Sequence, residues 1–332
     1  TCIFLVFLVT CSSNSSFSSI TALNLLGARQ LFSVIVLVVC CFLPRSIELR
    51  SEASVSIKRI EQFMEKSDIE VRDEVGDPKL LNNGEFELVM RNASFNWPGE
   101  SFLPANMSNV SLEDDSVPND SPIALKNLNI SLTRGDLCLV VGPVGSGKSA
   151  FLNAILQEID LVGGKLAFSG PISYASQNPW LMNRSIRDNI LMGKPYDASF
   201  YRQVLEAAAL TRDIAQMQNG DHTIVGERGS ALSGGQRARI SLARALYYRD
   251  ANIFLLDDVL SAVDTVVGNL LVKGIQRMLK EKVCILVTHQ LQFVKFSTKV
   301  VLFEEGAIAF GGTYKELIRA DHLAFVETLK AY

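Results

Sequence analysis

A short run of glycines followed by a lysine and a serine, GPVGSGKS at residues 142–149, carries the clearest chemical signal in the sequence. It follows an apolar segment, Leu137 to Val141, which we expect to be a strand, and it precedes a helix predicted to reach about Glu158. Glycines let backbone N–H groups turn inward around an anion, and the start of a helix adds its positive dipole end. The segment therefore predicts a cradle for the phosphates of a nucleotide.

Two side chains of this loop complete the predicted chemistry. Lys148 is expected to reach the β and γ phosphates, and the hydroxyl of Ser149 is expected to bind Mg²⁺. The pattern indicates a nucleoside triphosphate without specifying the kind of protein, and a chance glycine-rich turn is the alternative. The predicted contacts with the nucleotide in this segment are Gly142, Pro143, Val144, Gly145, Ser146, Gly147, Lys148, Ser149 and Ala150.

Two neighbouring carboxylates, Asp257 and Asp258, close the apolar run NIFLLDD, which begins at Asn252. The run predicts a buried β-strand. The end of such a strand is where a phosphate-loop fold places its second protein ligand for magnesium. We assign that role to Asp257.

A second pair of glycines, in LSGGQ at residues 232–236, opens a predicted helix, GGQRARISLARALYY. The free N–H groups and the dipole at the start of that helix favour an anion. One fold needs only one such cradle per nucleotide. We therefore infer that the second cradle serves a nucleotide held by another copy or another domain. Its predicted contacts are Ser233, Gly234, Gly235 and Gln236.

The elements that must position these loops are indicated by patterning and composition. After Ile123, short apolar runs alternate with helical stretches, which predicts an α/β core with parallel strands. The length of 332 residues corresponds to about two modest domains. The balance of 32 basic and 35 acidic residues does not fit a nucleic-acid binder. The six cysteines lack the spacing of a zinc site or a disulfide framework, and we interpret them as structural.

The excess of hydrophobic residues lies mostly before residue 44. The 24 residues from Ile20 to Leu43 contain Arg29 as their only charge and are long enough to cross a hydrocarbon layer of ~30 Å. Basic residues follow at positions 45, 50, 58 and 59, which predicts that the rest of the chain is cytoplasmic. A buried core helix is the alternative. We interpret residues 1–9 as the remnant of a preceding membrane helix, and the chain as a fragment.

The next two regions connect and interrupt the predicted domains. Residues 44–84 combine an amphipathic helix, Ser46 to Lys66, with an acidic linker at 67–84. Residues 98–122 contain four prolines and five acidic residues, which predicts a flexible insertion. A solvated loop is the simpler interpretation of the insertion, and regulatory phosphorylation is the alternative. Residues 85–332 are predicted to form the nucleotide-binding domain around it.

Together these motifs resemble the ATP-binding cassette (ABC) transporters, and more closely the first nucleotide-binding domain of their C subfamily, the multidrug-resistance-associated proteins. The order of the motifs carries the resemblance: the Walker A loop GPVGSGKS, YASQNPW, the signature LSGGQ, the Walker B end LLDD, the D-loop SAVD and VTHQ. The N-terminal part is similar to the last helix of the first membrane domain. The resemblance implies an α/β P-loop NTPase fold with a RecA-like parallel sheet core, an antiparallel β subdomain and an α-helical signature subdomain, preceded by a transmembrane helix.

The resemblance also implies further site residues and the cofactors ATP and Mg²⁺. Trp97 resembles the aromatic residue that stacks on adenine, and an ordinary exposed or core tryptophan is the alternative. Gln177 resembles the residue that reaches the metal and the attacking water. His289 resembles the imidazole that hydrogen-bonds the γ-phosphate and positions water. Asp264, the last residue of SAVD, is expected at the interface between two cassettes.

Asp258 departs from the pattern of strongly hydrolysing cassettes, which carry a glutamate at this position to polarise the attacking water. An aspartate is shorter by one methylene, about 1.5 Å of reach. General-base assistance is worth about 10²- to 10⁴-fold in rate and depends on close contact. We therefore expect a site that binds MgATP and hydrolyses it slowly, with Asp258, Gln177 and His289 as its catalytic residues.

The leading interpretation is a fragment of an exporter whose cassette pairs with a second nucleotide-binding domain and acts on membrane-domain helices. The whole protein would be a multi-pass protein of the lipid bilayer, in the plasma membrane. It would transport a small molecule, and the resemblance alone implies organic anions or xenobiotics. A regulatory nucleotide-binding module of a channel or receptor is one alternative. A soluble cassette ATPase of DNA repair or translation is another, which the membrane segment and the lack of basic patches disfavour; we expect no nucleic-acid partner.

Overall fold

The computed structural model describes residues 19–64, 74–76, 78–97 and 123–319, and it divides into two units at residues 71 and 72. The predicted helix remnant at 1–9 and the predicted insertion at 98–122 lie outside the described residues. In the first unit, α1 (Ser19–Leu37) and α2 (Leu43–Met64) are joined by one π-helical turn, Val38–Phe42. The stretch Gly27–Glu61 is long and apolar enough to cross a membrane, by length and composition alone.

The π-helical turn has a local cause in Pro44. A proline ring inside a helix clashes with the carbonyl group four residues earlier and lacks an N–H group. The backbone N–H of Leu43 bonds to the carbonyl oxygen of Val38, five residues back, which widens the turn just before the proline. The predicted membrane segment and the predicted exit helix are thus one continuous helical run.

The second unit is built on a six-stranded sheet. Its strands are β4 (Leu137–Val141), β6 (Ile172–Ala175), β7 (Ile253–Asp257), β8 (Val283–Val287), β9 (Lys299–Glu304) and β10 (Ala307–Gly312). They lie in the order β10-β9-β4-β8-β7-β6. Strands β4, β6, β7, β8 and β9 are parallel, and β10 runs antiparallel to β9. The strands β4, β7 and β8 are buried and apolar throughout, apart from the terminal Asp257, as expected for a parallel sheet covered on both faces.

This topology decides where the site must lie. Because the central strands are parallel, the carboxyl ends of β4, β7 and β8 share one edge of the sheet. The glycine loop follows β4, Asp257 ends β7, and His289 lies two residues beyond β8. Ligands of open α/β sheets bind at this edge. The predicted parallel core is confirmed.

An antiparallel sheet in the order β1-β5-β2-β3 forms a second layer. Its strands are β1 (Glu74–Val75), β2 (Leu88–Asn96), β3 (Ile123–Leu132) and β5 (Asp160–Ser169). Apolar residues from β2 and β3 share a core cluster with residues of β4, β8 and β9 and with Phe151 and Leu152, which lie in the helix that follows the glycine loop. The antiparallel subdomain implied by the resemblance is present.

The acidic linker predicted at 67–84 differs from the structure over its described part. Glu74–Val75 pairs with Ser169 and Phe168 of β5, and a 3₁₀ helix follows at Pro78–Gly84. Leu80 and Leu81 of that helix are buried against the second sheet. Burial of these two apolar side chains is more favourable than their exposure in a linker would be. The boundary between the two units lies near residue 71 rather than residue 84.

Helices surround the parallel sheet and supply the remaining layer. The helices of this unit are α3 (Lys148–Ile155), α4 (Ile186–Leu191), α5 (Ala198–Ala207), α6 (Thr211–Gln216), α7 (Gly234–Tyr247), α8 (Thr265–Met278) and α9 (Tyr314–Arg319). Side-chain N-caps begin α4, α5, α7 and α8. Helix α3 is shorter than predicted, because the backbone leaves the helical region at Gln157 with a positive φ of 62°.

Cys138 and Cys284 lie in neighbouring strands and are buried, which agrees with their structural interpretation. Burial raises the pKa of the Cys138 thiol to about 12, so it stays protonated at neutral pH.

Candidate nucleotide-binding site

The glycine loop connects β4 to α3 through backbone conformations that only glycine adopts at low cost. Gly142 has a φ of 148°, and a Cβ atom there would lie 2.3 Å from the carbonyl oxygen of Phe303. Gly147, the residue before α3, has a φ of 104°. Larger residues at either position would displace the loop from the sheet edge. The loop therefore has the strand, turn and helix context that was predicted for it.

Lys148 is held inside the curve of this loop. Its Nζ donates hydrogen bonds to the carbonyl oxygens of Gly142 at 2.9 Å and Pro143 at 2.5 Å, and only 6% of the residue is exposed. Burial lowers the pKa of Lys148, while the charges of Asp258 and Asp257 act in the opposite direction. An ammonium group that has lost most of its hydration gains strongly from a phosphate oxygen.

Asp257 and Ser149, the two residues predicted to bind magnesium from the strand end and the glycine loop, line the same cavity. Burial raises the pKa of Asp257, and the neighbouring charge of Asp258 adds to this. The Ser149 side chain and the charges of Lys148 and His289 act against this rise in pKa. A divalent cation would replace these partners with a stronger one.

The oxygen atoms of Ser149 and Asp257 fit Mg²⁺ better than they fit a metal ion that is coordinated by protein side chains alone. Among the described residues, no cluster of three or more histidine, cysteine, aspartate or glutamate side chains could hold a metal ion. Mg²⁺ typically takes one or two protein oxygens and completes its shell with waters and substrate phosphates. The hydroxyl of Ser149 and the carboxylate of Asp257 suit that arrangement.

Asp258 has an unsatisfied carboxylate oxygen. The residue is 5% exposed, and its Oδ1 has no hydrogen-bond partner. Its backbone has a positive φ of 48° and is fixed by an N–H bond to the carbonyl oxygen of Val287 at 3.0 Å. A buried, unpaired polar atom is costly and needs a partner such as water or a ligand. Its position suits a group that would contact a water beside the phosphates.

A cavity of about 390 Å³ gathers most of the predicted site residues. Trp97 lies at its rim with half of its surface exposed, and Gln177 and His289 also line it. The residues lining this cavity are Trp97, Ala124, Val144, Gly145, Gly147, Lys148, Ser149, Ala150, Gln177, Asp257, Asp258, Val287 and His289.

Two lining residues, Ala124 and Val287, were not predicted as site residues. Val287 ends the strand directly before Thr288 and His289, so its place beside the cavity was implicit in the strand boundary. Ala124 follows the first residue of β3, and its apolar, unremarkable type gave no chemical signal. Pro143 and Ser146 line an adjoining cavity, which shares Val144 and Gly145 with the first.

The signature residues do not line the cavity that contains Lys148. Ser233 and Gln236 form a capping box, in which the Ser233 hydroxyl accepts from the Gln236 N–H and the Gln236 side chain accepts from the Ser233 N–H. A Cβ atom at Gly234 would meet no described atom within 4 Å. The structure thus leaves space beside Gly234 at the start of this helix, and the role of the turn toward a nucleotide held elsewhere stays a prediction.

Comparison with known proteins agrees with this geometry. Residues 125–261 match the family model described as ABC transporter. ATP-binding cassette sub-family C member 4 of Mus musculus is 40% identical over 304 residues, which are 91% of this chain and 21% of that protein. Bile pigment transporter 1 of Saccharomyces cerevisiae is 36% identical over 322 residues, covering 91% of this chain and 20% of that protein.

A protein of Drosophila melanogaster named probable multidrug resistance-associated protein lethal(2)03659 is 36% identical over 289 residues, covering 87% of this chain and 20% of that protein. The chain thus spans about one fifth of the length of the curated relatives it matches. The motifs, the two-sheet fold with its phosphate loop, and these matches agree: the chain belongs to the ABC transporter family, in its C subfamily, and contains the family's ATP-binding domain.

Proposed function

We propose that this chain binds MgATP in the cavity at the carboxyl ends of β4, β7 and β8. The observation that supports this most strongly is that one cavity is lined by the buried ammonium group of Lys148 and by four polar side chains. These side chains are Ser149, Asp257, Gln177 and His289. The glycine loop and Lys148 hold the phosphates, Trp97 stacks on adenine, and Ser149, Asp257 and Gln177 contact Mg²⁺. The ion neutralises charge on the phosphates when it is bound.

The site hydrolyses ATP slowly. Asp258, Gln177 and His289 contact the attacking water and the γ-phosphate, and Asp258 does so with a shorter side chain than glutamate. Its unpartnered Oδ1 is directed by a backbone that is fixed to Val287, so the carboxylate has little freedom to move closer. A general base that misses close contact loses most of its catalytic advantage.

The wider protein is an exporter of the lipid membrane. Its two cassettes close around two ATP molecules, with Ser233, Gly234, Gly235 and Gln236 of this chain facing the nucleotide held by a second nucleotide-binding domain. ATP binding and hydrolysis change the distance between the cassettes, and the membrane-domain helices follow. The transported compounds are organic anions or xenobiotics, the location is the plasma membrane, and this ATP-binding domain is cytoplasmic.

The second candidate is a regulatory nucleotide-binding module that senses ATP for a channel or receptor. Asp258 favours it, because a sensor needs binding without rapid turnover. The presence of Gln177 and His289 in the same cavity favours hydrolysis instead.

Uptake into inside-out membrane vesicles distinguishes the two. We expect vesicles that contain the complete protein to accumulate a conjugated organic anion only when MgATP is present, and to lose that accumulation in Lys148→Ala. An ATP-dependent ion conductance without accumulation of any anion would support the sensor and contradict the exporter.

A further inference from the structure

Arg244, near the end of α7, stacks on a tryptophan of the segment that carries Gln177. Its Cζ lies 4.1 Å from the centroid of the Trp180 ring, which is close enough for a cation–π contact. Trp180 is three residues beyond Gln177, a distance of at most ~11 Å along the chain. Helix α7 therefore directly contacts residues 177–180, which we call the Gln177 segment.

A buried asparagine fixes the same junction. Asn189, on α4, is fully buried, and its amide donates to the carbonyl oxygens of Met182 at 2.9 Å and Ser185 at 3.0 Å. Its Oδ1 accepts from the Met182 N–H at 2.8 Å and from Nη2 of Arg244 at 3.2 Å. Arg244 Nε also donates to the backbone carbonyl oxygen of Asn189 at 2.8 Å. One guanidinium thus joins three segments of the chain.

The opposite end of α7 is the signature turn. The helix runs without interruption from Gly234 to Tyr247 and is capped by Ser233. Arg244 lies ten residues after Gly234, which corresponds to about 15 Å along the helix. A helix of this length moves as a rigid body, so a displacement at Arg244 reaches Ser233.

Burying the Arg244 guanidinium group costs hydration free energy that packing alone would not require. Burial lowers the pKa of Arg244, and no ion pair joins it to a carboxylate in the part of the chain that the structure describes. An apolar side chain would fill the space beside Trp180 without losing the hydration of a charge. The guanidinium group fixes the relative orientation of its neighbours, because its N–H groups bond to Asn189 while its planar face contacts the indole ring of Trp180.

We propose that Arg244 is a positioning residue that couples Gln177, at this chain's own ATP site, to the signature turn at Ser233. The proposal rests on the proposed function. In that function the end of α7 at Arg244 lies beside this chain's own ATP site, and the start of α7 at Ser233 faces the nucleotide of a second cassette. When Gln177 shifts as MgATP binds, Trp180 and Arg244 carry the shift to α7, and α7 changes how Ser233 is presented to a second cassette.

Hydrogen exchange measured on the full chain in detergent, at a concentration at which it is monomeric, tests this coupling. In the wild type, we expect MgATP to slow exchange in 142–149, in 176–182 and in 232–237. In Arg244→Ala and in Trp180→Ala, we expect protection of 142–149 to remain, while the MgATP-dependent protection of 232–237 falls by about 5-fold or more, the lower range of ordinary coupling.

A matched control removes another arginine–aromatic pair of the same unit. Arg249 lies 4.0 Å over the ring of Phe200 and pairs with Asp197, away from the Gln177 segment. We expect Arg249→Ala to leave the MgATP-dependent protection of 232–237 unchanged. An equal loss in this variant would show general loosening of the helices and would overturn the proposal.

The remaining outcomes separate this inference from the proposed function. Protection at 142–149 without protection at 232–237 in the wild type would overturn the coupling and leave MgATP binding standing. No protection in any segment would overturn both. Full protection of 232–237 in the Ala variants would also overturn the coupling. If Arg244→Ala fails to fold, Trp180→Ala decides the matter, because Trp180 is 53% exposed and its loss spares the core.

Discussion

The side chains of Ser149 and Asp257 line one cavity, although one lies in the first turn of the helix after the glycine loop and the other ends a different strand. The pair exists because β4 and β7 are parallel strands of one sheet on either side of β8. Burial raises the pKa of Asp257 in this position. The relationship defines where a divalent ion would meet both the protein and the phosphates.

Replacing Asp257 with asparagine should remove the magnesium dependence of ATP binding. The amide is similar in size but carries no charge to offset the ion. We expect the gain in ATP affinity on adding Mg²⁺ to fall at least about tenfold, with affinity for free ATP little changed. Isothermal titration with and without Mg²⁺ measures this. Asp250→Asn, at a highly exposed carboxylate, serves as the control, and an equal loss there would contradict the assignment.

Lengthening Asp258 to glutamate should speed hydrolysis. The extra methylene extends the carboxylate by about 1.5 Å toward the attacking water, and we expect a gain of at least about tenfold in turnover at this site. The measurement is phosphate release by the complete two-cassette protein, with nucleotide affinity followed in parallel. Unchanged turnover at unchanged affinity would refute our account of the short base. Because residue 258 has a positive φ, the variant should also lose some stability.

The hydroxyl of Ser233 has two separable roles, in capping α7 and in facing a second nucleotide. Ser233→Ala removes the cap and should cost about 1 kcal/mol of stability. Ser233→Asp keeps a good cap but places a negative charge at the helix start. We expect both variants to slow hydrolysis by the complete protein while leaving ATP binding at this chain's own loop intact, with the larger effect in Ser233→Asp. Weaker binding at the chain's own loop would argue against a composite site.

Asp136, directly before the strand that leads to the glycine loop, should make stability sensitive to acid. Burial on its own raises the pKa of Asp136, but hydrogen bonds from Lys299 and Thr133 outweigh it and the pKa is lowered. The stabilisation is therefore present above the ordinary aspartate pKa of about 3.9 and is lost as the pH falls through the lower folded value.

The corresponding variant is Asp136→Asn, which weakens the contact with Lys299 Nζ, 2.8 Å away. We expect it to destabilise the protein by about 1 to 3 kcal/mol at pH 7, and the difference from the wild type to shrink below about pH 4. Urea unfolding across that range measures the effect. A difference that stays constant down to pH 3 would show that the ionised carboxylate is not the stabilising species.

Much of the fold was predictable because its strands are short, apolar and fully buried, as in VCILV before Thr288 and His289. The glycine loop and Asp257 were predictable because the end of a buried strand fixes where a side chain lies. The packing of Glu74 to Gly84 was missed, since Leu80 and Leu81 are two apolar residues in an otherwise polar stretch and carry no periodic signal.

Other features depend on tertiary structure that no local pattern encodes. The stacking of Arg244 on Trp180 joins residues far apart in sequence, and Arg244 alone looks like an ordinary solvent-facing helix residue. The unpaired oxygen of Asp258 is another such feature. It depends on the buried position of this residue directly after β7 and on its positive φ.

Equilibrium dialysis of radiolabelled ATP against the purified chain tests the central claim most directly. We expect saturable binding that tightens when Mg²⁺ is added and weakens by at least about tenfold in Lys148→Ala, because that variant removes the charge-assisted contact with the phosphates. Lys273→Ala, at an exposed lysine of α8, should bind as the wild type does. A chain that retains no ATP with or without Mg²⁺, or that binds it equally well without Lys148, would contradict the account.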